Sequence, residues 1–432
     1  MIYRKFLLQA GGGELQRLLL SSYFFDESWQ RVFKITTTEI IFYSLGSGVS
    51  TGGVFFLLLP MGVKGLINFL RQKAPEAFSI ATVQDIKGKR IGIDISITLY
   101  RGAALSYKNG PFSHLETLTQ EAAWLLELGC TPIYVFDGDA PAQKEEESRK
   151  REKLRAETER RLREAEKELD KNPGDTAALE TVEKLKKQCF RITSQSREDA
   201  RNLLVSMGVR VAHAQGEAER SLAHMQRSGY IDLIFTEDVD VLVCGAASYV
   251  KNSSCLQWTG PQDPSFTRKA EIVSMDPVLA GLGVSYEGFL LIAIFSGCDF
   301  APKMARMGPA TSWKHVKQHG DTLDMCFDAL KTEEERSLRE RYVSALPLLR
   351  FDKTDPGARV VKAPEPPPSF SPAVLEDFYK KLREEAGSRS SLARLRCNVG
   401  RCMRALIPDP PSFDQAGLPM KKRRVEHDET VG

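Results

Sequence analysis

The sequence predicts an α/β fold with a twisted, mostly parallel sheet flanked by helices. Short runs of apolar, β-branched and aromatic residues are typical of strands buried on both faces, as in a parallel sheet. Patterns of amphipathic helices alternate with these runs from Met61 onwards. With 432 residues, of which 42% are hydrophobic and 27% charged, the chain is long and apolar enough for two or three domains with a large core.

The alternation begins with a helix after Met61, whose apolar side carries Leu66, Ile67, Phe69 and Leu70. The elements predicted after it are, in order, strand 89–95, helix 115–127, strand 132–136, strands 209–211, 233–236 and 249–250, and a strongly apolar helix over 288–296. Two further helices flank residues 307–311 and extend to about Leu349.

Residues 141–190 have a different composition, rich in Ala, Glu, Lys and Arg. Asn172-Pro173-Gly174 interrupts this stretch, because Pro and Gly end helices and favour turns. The pattern predicts an insertion of two exposed helices joined by a turn. On composition alone, these helices could also be simply solvated or coiled-coil-like.

The C-terminal part contains less foldable sequence. Residues 354–372 are rich in proline and predict a linker or an extended strap. A short helix is expected over 373–385, as part of a C-terminal region 373–432 that ends in a disordered basic tail. Nothing after Pro408 has the pattern of a folded element.

Residues 1–60 form an atypical extension, rich in Gly, Ser and aromatic residues and poor in acids. Residues 40–60 carry no charge and are about long enough to span a bilayer, but Ser, Gly and Thr interrupt them repeatedly. A membrane anchor and an organelle-targeting segment remain alternatives. The pattern favours a dispensable segment, and we expect no membrane association.

Cysteine usage argues against a disulfide-rich secreted protein and against a zinc-binding protein. The formal charge of +3 is too small to identify a partner by itself. The eight cysteines include no Cys-x-x-Cys pair, and Cys130, Cys244 and Cys298 have apolar neighbours. This usage predicts a reducing compartment with neither disulfides nor a zinc site.

Seven carboxylates accompany the strand-like and apolar runs: Asp94, Asp137, Glu217, Glu219, Asp238, Asp240 and Asp299. Open α/β sheets build their sites at the carboxyl ends of their strands, so these acids are expected to meet at one edge of the sheet. In Glu217-Ala-Glu219 and Asp238-Val-Asp240, the spacing places both carboxylates on one side of an extended segment.

Each acid alone could instead be a helix N-cap or a turn residue. So many carboxylates at one edge would repel one another strongly unless a cation neutralised them. Mg²⁺ prefers carboxylate and water oxygens as ligands. The sequence therefore predicts a divalent metal site.

Six segments together resemble the flap endonuclease/exonuclease-1/XPG nucleases. In the order of that family, between about Met61 and Lys317, they are Met61-Gly-Val-Lys-Gly-Leu, Ile93-Asp94-Ile-Ser, Val135-Phe136-Asp137-Gly138, Glu217-Ala-Glu219, Thr236-Glu237-Asp238-Val-Asp240 and Ser296-Gly-Cys-Asp299. The resemblance implies a PIN-like α/β core and structure-specific 5′ nuclease activity, in replication or repair, on DNA with a 5′ flap, gap or branch. It also implies two Mg²⁺ ions per active site, for which Mn²⁺ can substitute.

The resemblance assigns roles to individual residues. Asp94, Asp137, Glu217 and Glu219 would surround one ion, and Asp238, Asp240 and Asp299 the other. Lys144 and Arg151 match a Lys and an Arg that rise from the base of a helical arch, here residues 141–190, and contact the scissile phosphate.

The resemblance implies further DNA contacts from other parts of the sequence. Tyr100 matches an aromatic residue that stacks on a terminal base, and Gly62 and Lys64 belong to the amino-terminal motif that approaches the substrate. A helix-two-turn-helix module is expected near 296–320, with duplex contacts from Lys303, Arg306, Gly308 and Lys314. Because Arg306 replaces the first Gly of the usual Gly-x-Gly-Pro, K⁺ binding there stays open.

The resemblance divides the chain into an N-terminal nuclease region, 61–165, and an internal nuclease region, 191–350. Flap endonuclease and exonuclease-1-like 5′–3′ exonuclease both remain possible branches, and a catalytically reduced nucleic-acid-binding scaffold is a third reading. A sliding-clamp partnership stays open, because the chain lacks the Gln-x-x-Leu-x-x-Phe-Phe motif of clamp partners. We expect a monomer. Lys421-Lys422-Arg423-Arg424 predicts nuclear localisation.

A last expectation concerns the start of the functional protein. In the resembled family, the residue after the initiating Met lies beside the substrate. Gly62 would occupy that place, and a preceding chain would have to leave through the same crowded opening. We therefore expect the functional protein to begin at Met61.

Overall fold

The computed structural model describes residues 41–42, 55–56, 62–103, 112–139, 145–189, 192–257, 269–330, 337–351, 380 and 389–406. The chain divides into two units, one made of residues 1–45 and 49–57 and the other of residues 46–48 and 58–432. In the first unit, strands β1 (Ile41–Phe42) and β2 (Phe55–Phe56) pair in antiparallel fashion.

Seven described strands of the second unit form one sheet. They are β3 (Phe78–Ile80), β4 (Arg90–Asp94), β5 (Thr131–Phe136), β6 (Arg210–His213), β7 (Leu233–Phe235), β8 (Ser248–Lys251) and β9 (Glu271–Ser274). Their order across the sheet is β3-β9-β8-β7-β4-β5-β6. The five strands from β8 to β6 are parallel, whereas β9 runs antiparallel to both β8 and β3. The predicted mostly parallel sheet is confirmed, but β3 and β9 were not anticipated.

The described helices are α1 (Leu66–Lys73), α2 (Val83–Ile86), α3 (Ile95–Ala103), α4 (Ser113–Glu127), α5 (Glu145–Lys171), α6 (Thr176–Cys189), α7 (Ser194–Ser206), α8 (Ala218–Arg227), α9 (Asp240–Val243), α10 (Met275–Leu282), α11 (Tyr286–Ser296), α12 (Pro309–His319), α13 (Leu323–Asp328), α14 (Arg339–Leu349) and α15 (Arg389–Leu406). Short 3-10 helices cover Pro75–Ala77 and Ser253–Gln257.

Side chains of β5 alternate between two apolar cores. Ile133 and Val135 belong to one core, and Tyr134 and Phe136 to the other. This alternation follows from the two-residue period of a strand, and it explains why the run is continuously apolar: both of its faces are covered.

Helix α11 lies at the centre of the first core. Every residue from Gly288 to Ser296 is buried, as the apolar run in the sequence predicts. The Ser285 hydroxyl caps the helix by accepting a hydrogen bond from the Gly288 amide at 3.1 Å. Helix α1 buries Leu66, Ile67, Phe69 and Leu70 in the same core, again as predicted.

The strand order reverses at β4. Strand β5 lies on one side of β4, and β7, which comes later in the chain, lies on the other. In open α/β sheets, ligands bind outside the carboxyl ends of the strands at such a switch point. The fold therefore predicts a ligand site among the residues that follow β4, β5, β6 and β7.

The helical insertion consists of α5 and α6. A turn at residues 172–175 separates them, at the position of the Asn172-Pro173-Gly174 interruption. Lys186 of α6 forms an ion pair with Glu166 of α5 at 3.0 Å, so the two helices lie side by side.

Helix α15 packs against α4. Leu395, Val399 and Cys402 of α15 are buried in the second core. Sequence patterns did not indicate this helix. The expected helix over 373–385 lies, apart from Lys380, outside the described residues, as do the proline-rich segment 354–372 and the chain beyond Leu406.

Among the described residues, no single helix is long and apolar enough to cross a membrane. Helices α10 and α11 meet that test only when taken together, with a bend of 81° between them.

Candidate metal centre

Six of the seven predicted carboxylates follow four neighbouring parallel strands. Asp94 is the last residue of β4, and Asp137 follows β5 directly. Glu217 and Glu219 come after β6, and Asp238 and Asp240 after β7. The parallel pairing of these strands brings their carboxyl ends together. Asp299 arrives separately, from the loop that follows α11.

All seven carboxylates line one cleft of about 310 Å³. Tyr100 of α3, the residue predicted to stack on a base, lines the same cleft. Residues up to 205 positions apart in the sequence, from Asp94 to Asp299, thus meet at the switch point of the sheet. The structure brings together the whole predicted carboxylate set.

The carboxylates at the ends of β4 and β5 share a hydrogen-bond network. The Ser96 amide donates to Asp94 Oδ1 at 2.9 Å, and the Ser96 hydroxyl donates to Asp137 Oδ2 at 2.9 Å. The Ala218 amide donates to the other oxygen of Asp137 at 3.0 Å. Ser96 therefore links Asp94 to Asp137, and the start of α8 holds Asp137 from the opposite side.

Three of these acids are close enough to share one cation. One carboxylate oxygen from each of Asp137, Glu217 and Glu219 lies within 4.8 Å of the other two. Divalent cations that prefer oxygen are bound by such groups of converging carboxylates. The donor set of the cleft consists of hard oxygen ligands, which fits Mg²⁺ or Mn²⁺.

The second pair of acids lies on a tightly organised loop after β7. The Asp238 amide donates to Thr236 Oγ1 at 3.2 Å, and the Asp240 amide donates to Asp238 Oδ1 at 2.9 Å. Asp240 Oδ1 accepts a further hydrogen bond from the Val63 amide at 2.9 Å. The amino-terminal motif of the second unit is thereby tied directly to the carboxylate centre.

Gly62 is held against these two acids. Its φ of 72° is in the left-handed region, and a Cβ atom there would lie 2.6 Å from Asp240 Oδ1 and even closer to Asp238 Oδ1. Only glycine combines this dihedral angle with this close approach. Gly62 thus lies beside the carboxylates, and its contact with the substrate stays a prediction.

A buried ion pair supports the same loop from behind. Lys251, the last residue of β8, donates from Nζ to the Glu237 carbonyl at 3.1 Å, and Nζ lies 3.6 Å from Glu237 Oε2. Glu237 Oε1 also accepts a hydrogen bond from the Asn252 amide at 3.0 Å. Glu237 directly precedes Asp238, so these contacts position the loop. Sequence reasoning did not single out Lys251.

The acids disturb one another electrostatically. Burial and then the nearby Asp137 carboxylate raise the pKa of Asp94 well above its ordinary value. Burial and then the Asp94 carboxylate do the same to the pKa of Glu219. A cation among these oxygens would favour the charged forms and reverse both shifts. The residues present therefore fit a bound divalent metal.

The side chains of two predicted phosphate-binding residues lie outside the described part of the structure. Lys144 lies outside the described residues, and Arg151 is in α5 without a described side chain. Arg155, Arg197 and Arg220 do line the cleft, and sequence reasoning missed all three. A signal existed for Arg155, which lies one helical turn after Arg151. Nothing in the sequence distinguishes Arg197 from other charged residues of its helix.

The expected helix-two-turn-helix module consists of α11, α12 and the loop between them. Gly308 is the N-cap of α12, and Pro309 is its first residue. Arg306 adopts a φ of 60°, which favours glycine. Lys303, Arg306 and Lys314 are exposed, as is Lys64 before α1, and none of them lines the carboxylate cleft.

The chain matches two family models. The XPG N-terminal domain matches residues 61–158, and the XPG I-region matches residues 208–299. These segments contain all seven carboxylates. The first match begins at residue 61, directly before Gly62.

Curated relatives show the same family, and similar solved structures show the same fold. Flap endonuclease 1 of Ostreococcus lucimarinus is 32% identical over 284 residues, covering 63% of this chain and 69% of that protein. Flap endonuclease 1 of Glycine max is 31% identical over 272 residues, covering 60% and 67%. The structure of flap endonuclease-1 from Methanococcus jannaschii superposes with a TM-score of 0.51 at 24% identity, over 76% of this chain and 96% of that one. Human GEN1, solved in complex with Holliday junction DNA, gives a TM-score of 0.51 at 16% identity, over 80% and 78%. The chain therefore belongs to the flap endonuclease/XPG family of structure-specific 5′ nucleases.

Proposed function

We propose that this protein is a Mg²⁺-dependent, structure-specific 5′ nuclease that hydrolyses phosphodiester bonds of 5′-flap or branched DNA. The observation that carries the proposal is the meeting of seven carboxylates in one cleft at the switch point of the sheet. Membership of the flap endonuclease/XPG family supports the DNA substrate.

The carboxylates would hold the metal. Asp94, Asp137, Glu217 and Glu219 would bind one ion, and Asp238, Asp240 and Asp299 the other. When bound, two divalent ions supply an activated water and charge stabilisation for the attacking and leaving oxygens. The chain itself orients the ligands: Ser96 fixes Asp94 relative to Asp137, and the Val63 amide fixes Asp240. Gly62, which has no side chain, leaves room beside Asp238.

Lys144 and Arg151 are proposed to stabilise the charge that develops on the scissile phosphate, and Tyr100 to stack on a terminal base of the substrate. Removing one electrostatic contact of this kind slows the chemical step by roughly 100-fold or more. Single-turnover cleavage by Lys144→Ala and Arg151→Ala tests the assignment. Wild-type rates in both variants would reject it.

The remaining assignments extend this proposal. The loop and helix from Lys303 to Lys314, with Arg306 and Gly308, would contact duplex phosphates, and Lys64 would add a contact near the cleft. We propose that the protein acts as a monomer in the nucleus, directed there by residues 421–424. A reporter fused to residues 408–432 that stays outside the nucleus would contradict the localisation.

Cleavage of a labelled 5′-flap duplex, in Mg²⁺ and in EDTA, tests the central proposal. Cleavage is expected in Mg²⁺ alone, at a defined position near the flap junction. Asp94→Ala and Asp238→Ala should lower the rate by at least about 100-fold, equivalent to ~2.7 kcal/mol of barrier, because each removes a metal ligand. The variants should bind the DNA in EDTA at least as tightly as wild type, since each loses a negative charge and no proposed phosphate contact.

Asp276→Ala serves as the matched control. Asp276 is an exposed carboxylate on α10 and does not line the cleft, so its loss should leave the rate unchanged. An Asp94 or Asp238 variant within about tenfold of the wild-type rate would contradict the metal assignment. Successive removal of single nucleotides from blunt duplexes, without flap incision, would instead indicate an exonuclease-1-like activity.

A further inference from the structure

Arg197 is a cation in the catalytic cleft with no assigned role. It lies in the first turn and a half of α7 and lines the cleft together with the seven carboxylates. Its side chain is exposed, and in the part of the chain that the structure describes no carboxylate forms an ion pair with it. Its neighbours on α7 are satisfied: Arg201 pairs with Glu198 at 3.2 Å, and Asp199 accepts from Gln195 at 2.8 Å. Helix stability therefore gives no reason for this arginine.

The backbone under Arg197 is rigid. Thr193 caps α7 by accepting a hydrogen bond from the Ser196 amide at 3.0 Å, and the Arg197 amide donates to the Thr193 carbonyl at 3.1 Å. Ile192, just before this cap, also lines the cleft. The start of α7 thus forms part of the cleft wall and presents Arg197 from a fixed position.

Arginine side chains offset part of the carboxylate charge in the cleft. Seven carboxylates and three guanidinium groups, those of Arg155, Arg197 and Arg220, line it. With the two proposed divalent ions, the formal charges of these ten side chains would balance, and loss of any arginine would leave the lining more negative beside the DNA strand. Arg220 is engaged, since its Nη2 donates to the Pro347 carbonyl at 2.7 Å. Arg197 has no such engagement in the described structure and is available to the substrate.

We propose that Arg197 is a substrate-binding residue that contacts a phosphate of the cleaved DNA strand next to the carboxylate centre. The inference rests on the proposed nuclease function and assigns a further residue to that site. A guanidinium suits the role, because it stays charged at any working pH and can donate two parallel hydrogen bonds to phosphate oxygens.

Three variants separate this role from that of a solvated charge. Arg197→Ala should slow single-turnover cleavage of the 5′-flap duplex by about 10- to 100-fold, the usual effect of losing a hydrogen bond to a charged group. Arg197→Lys should recover part of the rate, since it keeps the charge and loses the bidentate geometry. Arg201→Ala, one turn further on the same helix and outside the cleft, is the control and should stay within about twofold of wild type. Melting temperatures should be equal in all three.

A chemical map locates the contact. Single methylphosphonate linkages, which remove one phosphate charge at a time, are placed at successive positions around the scissile bond. At the contacted linkage, the methylphosphonate should slow cleavage by wild type. It should not slow Arg197→Ala any further, because that variant already lacks the interaction. Equal losses in both proteins at every linkage, or an Arg197→Ala rate equal to that of Arg201→Ala, would overturn the proposal.

Failure of the proposed function has a different signature. In that case wild type would not cleave the duplex in Mg²⁺. Fluorescence anisotropy of the same DNA in EDTA would then decide the role of Arg197, since the proposal requires weaker binding by Arg197→Ala than by Arg201→Ala. Equal affinities would reject it.

Discussion

At the scale of single residues, Arg306 shows a conflict between sequence and backbone. Its φ of 60° lies in the left-handed region, where a non-glycine residue is strained by about 1 kcal/mol or more. The resembled family has glycine at this position of the helix-two-turn-helix. The backbone here adopts a dihedral angle that suits glycine, yet it carries an exposed arginine side chain.

Arg306→Gly should therefore raise the free energy of unfolding, by about 0.5–1 kcal/mol, because relief of strain exceeds the extra entropy of glycine in the unfolded chain. The same variant should bind duplex DNA more weakly and with a salt dependence reduced by about one phosphate contact. Urea unfolding and anisotropy at several NaCl concentrations measure the two effects. Arg306→Lys is the control, since it keeps both the charge and the strain. Lower stability of the glycine variant would show that contacts of the arginine side chain outweigh the strain.

At the scale of elements, α15 is connected to the cleft through two other helices. Arg394 pairs with Glu116, and Arg401 with Glu127 at 2.6 Å, so two positions of α15 are fixed to α4. Glu121 of α4 is buried and accepts hydrogen bonds from Thr98 at 2.9 Å and from Arg101. Thr98 and Arg101 belong to α3, which also carries Ser96 and Tyr100. Helix α15 therefore stabilises α3 through α4, and α3 forms one wall of the cleft.

Leu395→Ala should lower the free energy of unfolding by about 2–4 kcal/mol, because Leu395 is fully buried between α15 and the core. Arg394→Ala and Arg401→Ala should each cost less than about 1 kcal/mol, as is usual for exposed ion pairs. Urea unfolding followed by far-UV circular dichroism gives these values. Wild-type stability of the Leu395 variant would mean that α15 contributes nothing to the fold, and the arginine variants would then show no effect either.

At the scale of the whole molecule, the second unit contains all the described parts of the site. The family match begins at residue 61, and the first two described residues of this unit, Gly62 and Val63, lie against the carboxylates. The described elements of the first unit are the two short paired strands β1 and β2. That residues 1–60 are dispensable stays a prediction, which rests on the family match that begins at residue 61.

A shortened chain that starts at Met61 should unfold at the same urea concentration as the full chain and cleave the 5′-flap duplex at least as fast. The prediction follows from the proposal that the substrate binds beside Gly62, at the carboxylates against which Gly62 packs. Single-turnover rates of both forms, together with mass spectrometry of the amino terminus of the native protein, provide the test. A shortened form more than about tenfold slower, a difference of ~1.4 kcal/mol, would show that the extension takes part in function.

The sequence by itself determined the α/β class and the meeting of the seven carboxylates at one edge of the sheet. These depend on local patterns: a continuous apolar run predicts a strand buried on both faces, and an acid at its end predicts a side chain at one edge of a parallel sheet. Asp94 and Asp137 could be assigned in this way because each ends or directly follows such a run. The six segments quoted for the resemblance also occur in the order of that family, and this order made the family recognisable.

Only the tertiary structure decided how these groups are supported and which cations face them. Ser96 joins two carboxylates, Lys251 holds Glu237 across 14 positions, and α15 packs on a helix more than 260 residues earlier. Such contacts arise from packing between elements that are distant in sequence, and no local periodicity encodes them. Arg197 is the clearest case: in the sequence it is one charge among many on a polar helix, and only the fold places it in the cleft.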